Sequence, residues 1–162
     1  MKRILKSTVL TLTAVLLLGT LPVMAIERPF ALNGKGVATF VVDGSGIPVS
    51  ANVTSSSTAT HLGLCTTVGI VTFSPDPDHP GRLLSHGTGM ITAADGDTIQ
   101  IEFEGALDPP APGSATGIDK PLFRFVGGTG RFAGASGSAN AVVLVNLLTG
   151  AFEITMVGDI DY

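Results

Sequence analysis

The chain has 162 residues, 44% of them hydrophobic and only 14% charged, a composition that argues for one folded domain and against disorder. Nine basic residues stand against thirteen acidic ones, for a net charge of −4, which disfavours an electrostatic nucleic-acid binder. The single cysteine excludes an internal disulfide framework.

Residues 1–25 read as a secretory signal. Lys2, Arg3 and Lys6 form a positive start, Thr8 to Leu21 is a run of apolar and hydroxyl residues, and Val23-Met24-Ala25 offers a small-residue cleavage site. The apolar run falls short of the ~20 residues that a membrane-spanning helix needs. Cleavage would leave a domain of residues 26–162 with six basic and thirteen acidic residues, net −7. The sequence therefore predicts an exported protein, periplasmic or extracellular.

Beyond the signal, period-two patterning dominates. In Thr98-Ile99-Gln100-Ile101-Glu102-Phe103-Glu104 the apolar side chains fall on odd positions. In the closing segment from Phe152 to Tyr162 they fall on even ones, with Phe152, Ile154 and Met156 leading. Such alternation marks strands with one buried face. No apolar stripe of helical period appears, so negligible helix is expected. Turn signals divide the chain: Asp43-Gly44-Ser45-Gly46, the Pro-rich Ser74–Gly81 stretch, Asp95-Gly96, Asp108–Gly113 and Leu148–Ala151. Strands are predicted at 30–42, 49–60, 62–73, 82–94, 98–108, 116–126, 135–147 and 152–162.

Eight sequential strands with mostly short connections predict an all-β protein, an eight-stranded antiparallel up-and-down β-barrel. Such a barrel holds packed side chains or one small ligand. The rows Ile99, Ile101, Phe103 and Phe152, Ile154, Met156 are the candidate lining for a small apolar ligand. The stretch Ala141–Leu148 is apolar on both faces, so its outer face needs a cover. The Pro-rich loop, the N-terminal segment or another copy of the protein could supply it; with no helix available, a homo-oligomer interface through strand 141–148 is the favoured expectation.

Other motifs have plainer explanations. Gly128-Thr129-Gly130-Arg131-Phe132-Ala133 matches a dinucleotide fingerprint, but the residues after it are too glycine-rich for the required helix. No cofactor is implied. His61, His79 and His86 lack metal-ligand spacing, and no metal site is predicted. Asp76, Asp78 and His79 sit among prolines as a turn. Ser85 and His86, adjacent on a strand, should point to opposite faces. Cys65 reads as a small buried hydrophobe. The terminal Tyr162 also resembles the end of an outer-membrane barrel, but nine aromatics without Trp make a poor girdle, so membrane insertion is the lesser reading.

The string Gly127-Gly128-Thr129-Gly130-Arg131-Phe132-Ala133-Gly134-Ala135-Ser136-Gly137 resembles a segment of the allene oxide cyclase-like and dirigent-like β-barrels. Thr60-His61-Leu62-Gly63, Ala93–Asp97, Phe103-Glu104-Gly105 and Gly158-Asp159-Ile160 follow the order seen in exported bacterial relatives. The resemblance covers about residues 30–162 and implies an eight-stranded barrel that oligomerises. It carries over no catalytic residue. Physically, the segment reads as a compact turn pinned by Arg131 and Phe132. An isomerase or cyclase inside the barrel would need an inward ionisable group, with Glu102, Glu104, His61 and Arg124 as the candidates. A non-catalytic scaffold is the third reading.

Overall fold

A computed structural model describes residues 27–162. The predicted signal lies outside the described residues. The rest is a closed antiparallel barrel. Its segments are β1 (Arg28–Val42), β2 (Pro48–Ala59), β3 (Gly63–Pro75), β4 (Leu83–Ala93), β5 (Thr98–Asp108), β6 (Thr116–Asp119), β7 (Leu122–Gly128), β8 (Ser136–Asn146) and β9 (Ala151–Asp161). Consecutive strands pair, and β9 returns to β1. Short β6 and β7 share one position between β5 and β8, so nine segments make eight staves. Closure leaves no free edge for another chain to extend.

Seven of the eight predicted strands agree with the structure to within about two residues at each end. The eighth needs correction. The stretch read as one strand, 116–126, is broken at Lys120-Pro121. Proline has no N–H to give to the ladder. Its carbonyl still accepts from the Ala141 amide at 2.9 Å, which holds the break against β8.

Register explains how the interior fills. One hydrogen-bonded row runs Phe40, Ala51, Val71, Gly87, Phe103, Phe123, Ala139, Gly158, Phe30. It leaves β1 at Phe40 and returns at Phe30, ten residues back along the same strand, because the strands tilt around the barrel axis. Its four rings are interspersed with small residues and one valine. The Phe103 ring occupies the space where Gly87 would carry a Cβ, and a Cβ on Gly36 would lie 2.6 Å from the Phe152 ring.

The interior has two halves. At the end that holds both described termini, Phe30, Ile91, Ile99, Phe132, Met156 and Ile160 are almost wholly shielded. Each contributes about 1.5–3 kcal/mol by burial. A one-turn 3-10 segment, Gly130–Phe132, caps this end and drives Phe132 into it. Arg131 spans the rim outside: it pairs with Asp95 at 2.9 Å and donates to the His61 carbonyl at 3.0 Å. The glycine-rich segment is thus the pinned turn that its residues predicted.

Candidate functional site

The other half of the barrel is hollow. A cavity of about 110 Å³ opens between the strand ends that carry the turns 43–47, 76–82, 109–115 and 147–150. Five phenylalanines line it: Phe40, Phe73, Phe103, Phe123 and Phe152. Phe103 and Phe123 stack at 4.8 Å between ring centroids, and Phe40 meets Phe73 at 6.1 Å near the mouth. Val53, Val71, Val143 and Ile154 fill gaps between the rings.

The predicted lining divides between the two halves. Phe103, Phe152 and Ile154 line the cavity. Ile99, Ile101 and Met156 also face inward, but they lie in the packed half. The four predicted ionisable candidates are corrected as a group. Glu102, Glu104 and Arg124 sit on the outer face, where Arg124 Nη2 pairs with Glu104 at 2.9 Å. The alternation that turns Ile101 and Phe103 inward turns their neighbours outward. His61 occupies a turn at the packed end with φ +67°, and its Nε2 lies 3.0 Å from the Pro29 carbonyl. None of the four reaches the cavity.

The inward ionisable group is one that the sequence reading missed: Asp119. Its side chain lines the cavity at the end of β6 and is only 8% exposed. Oδ1 has no hydrogen-bond partner among the described residues, and neither does the fully buried Ser85 Oγ. The carboxyl reaches over Gly105, whose register partner on β4 is Ser85. A Cβ at position 105 would lie 2.7 Å from Oδ1, so the missing side chain makes room for the carboxylate. Burial pushes the Asp119 carboxyl above its ordinary value. The Ser85 hydroxyl, near but short of bonded geometry, pulls it back down, as do the Lys120 and Ala106 amides. Asp108 adds to the rise.

The rim carries its own charges. Arg82 Nε lies 3.4 Å from Asp108 and 3.7 Å from Asp76. Asp76 accepts the Asp78 amide at 2.9 Å and faces His79 Nδ1 at 3.0 Å. The Asp78 amide is the main reason its carboxyl titrates below the ordinary value. This cluster is therefore the turn expected from its prolines. No group of three or more His, Cys, Asp or Glu among the described residues is arranged to hold a metal ion. Ser85 faces in while His86 faces out, so the two form no nucleophile–base pair. Cys65 is buried, its Sγ lies 3.6 Å from the Ser57 carbonyl, and burial raises its pKa.

Asp119 sets a sign for stability against pH. Its folded pKa is raised above the ordinary 3.8, so the folded state binds this proton more tightly than the unfolded state does. The stabilisation is full below the unfolded value and is lost as pH rises through the folded value. Asp119→Asn abolishes that loss. Urea midpoints measured from pH 3 to pH 7 should show the variant gaining on the wild type as pH rises. Parallel curves would remove Asp119 from the buried, strained position assigned to it.

No protein-family model, curated protein or solved structure matches the chain. Fold and site together define a class all the same: a closed eight-stranded β-barrel, packed at one end, with an aromatic cup at the other and one buried carboxyl in its wall.

Proposed function

We propose that the protein is an exported binding module that takes a small, largely apolar ligand into the phenylalanine cup. The single supporting observation is the cavity itself, apolar over nearly all its wall and set inside a barrel whose other half is fully packed. An enclosed apolar cavity of about 150 Å³ accepts benzene; this one, about 110 Å³, is smaller but open at its mouth, so it takes a ring-sized group that reaches toward the opening. Binding is preferred to isomerase or cyclase chemistry because Asp119 stands alone: among the described residues no second titratable side chain lines the cavity to complete an acid–base pair. Export rests on the residues of the predicted signal. Kinship with the allene oxide cyclase-like and dirigent-like barrels belongs to the same proposal and rests on the glycine-rich turn. Charged side chains across the outer face, among them Lys35, Glu102, Arg124 and Glu153, favour an aqueous setting over lipid.

Val71→Phe tests the cup. Val71 is 6% exposed and lines the cavity, so a ring there takes up the free space. Toluene added to the wild type should shift NMR methyl signals of Val53, Val71 and Ile154. The variant should show no such shift, at a stability cost of about 1–3 kcal/mol. A wild type indifferent to every ring-sized probe, neutral or charged, sinks the proposal.

A second reading concerns assembly. Val142 and Leu144 on β8 remain 45% and 42% exposed, and Ile118 lies opposite Leu144 in the register of β6. The 109–115 loop is tied down just beyond the end of this strand, where the Leu147 amide donates to the Ala115 carbonyl. We propose that a second copy covers this face. Light scattering should find a dimer or larger species for the wild type and a folded monomer for the Val142→Lys, Leu144→Lys double variant. A monomeric wild type at high concentration rules it out.

A further inference from the structure

Asp119 makes the cup more selective than its phenylalanines alone would. A carboxylate held in an apolar cavity is costly unless something pairs with it. No cation among the described residues does: no Lys, Arg or His lines the cavity, and the Ser85 hydroxyl and the Lys120 and Ala106 backbone amides that steady the carboxyl carry no charge. Arg82, on the rim, is shared between Asp76 and Asp108. Lys120, next to Asp119 in sequence, points outward.

The remainder of the wall favours positive charge too. Five phenylalanine rings surround the space, and the face of an aromatic ring attracts a cation lying within about 6 Å of its centre. The rim adds Asp76 and Asp108 to the negative side. A neutral hydrocarbon would fill the volume but leave the carboxylate unpaired. An anion would bring two like charges together in a poorly screened space. A protonated amine fits every element: its N–H reaches the acceptor and its charge meets the rings.

We infer that the ligand is a small apolar ammonium ion, whose hydrocarbon body fills the phenylalanine cup while its N–H⁺ donates to the Asp119 carboxylate in the cavity wall. This rests on the binding role proposed above. Volume limits the body to about one ring or a short branched chain. The need for an N–H donor favours primary to tertiary amines over quaternary ones. Ser85 Oγ, fully buried across Gly105, is placed to orient the carboxylate rather than to touch the ligand.

Titration calorimetry of the purified protein at pH 7 with four probes of similar size tests the inference: benzylamine, benzyl alcohol, toluene and benzoate. Benzylamine should bind at least tenfold more tightly than benzyl alcohol or toluene, and benzoate should not bind. Asp119→Asn should cost benzylamine tenfold or more and leave toluene unchanged. Should that variant fail to fold, the wild type alone still decides. Benzylamine stays protonated at acid pH, so its affinity should fall as Asp119 takes up its proton while that of toluene holds. Equal affinities for toluene and benzylamine, unaffected by Asp119→Asn or by pH, overturn the ammonium assignment and leave the binding role standing. If no probe binds at all, both readings fall.

Discussion

Phe132→Ala should lower the stability of the barrel by about 3–5 kcal/mol, the usual cost of emptying a phenylalanine site in a core that cannot collapse. The ring is 0% exposed and meets Tyr162 edge-on at 4.7 Å between centroids. It enters from a three-residue turn at the barrel end, with the Arg131 guanidinium 4.9 Å from its centroid. For a domain of this size the melting temperature should drop by about 10–20 °C. Arg131→Ala is the control. The Arg131 side chain is 44% exposed, and its ion pairs lie on the rim, where such contacts contribute about 0–1 kcal/mol. The two substitutions sit side by side in the glycine-rich segment and should differ severalfold in cost, as measured by thermal and urea unfolding. A small loss for Phe132→Ala would mean that the packed end is not closed by this ring.

The architecture was legible because the physics behind it is local. Alternation in Thr98–Glu104 and in the closing strand sets which side chains face the core, and one-residue spacing leaves no choice. The same alternation decided the site. Phe123 and Phe125 face inward, so counting back in twos through Pro121 brings Asp119 inward as well. The 116–126 segment carries this parity as a single strand too, but a carboxylate on an apolar face is costly to bury, so nothing in the pattern marks Asp119 as a wall residue. Alternation had likewise already turned Glu102 and Glu104 away from the cavity once Ile101 and Phe103 were placed in it.

What no local pattern reveals is which inward residues meet a void. Ile99 and Phe103 have the same spacing and the same strand, yet one is packed and the other lines the cup. The difference comes from the ten-residue stagger at closure, which brings Phe30 and the Phe132 turn to one end and leaves the other to rings resting on Gly36 and Gly87. The stagger is a property of the closed sheet, spread over eight pairings, and no single segment carries it.

Gly105→Ala should cost about 1–3 kcal/mol and disturb the cup without altering any group a ligand touches. The new Cβ would lie 2.7 Å from Asp119 Oδ1, 2.7 Å from Pro121 Cα and 2.9 Å from Pro121 Cβ. These obstacles differ in kind. The carboxyl can rotate away, at the expense of its position over Gly105. Pro121 is backbone, held by the Ala141 amide, and yields only if the break between β6 and β7 moves. A double-mutant cycle separates them. In an Asp119→Ala background the carboxylate clash is gone, so Gly105→Ala should cost less than in the wild type, with a coupling of about 0.5–2 kcal/mol. The cost that persists belongs to Pro121 and measures the stiffness of the strand break. An additive cycle would show that Asp119 does not lie over Gly105, and the carboxyl would then lose its place in the cavity wall.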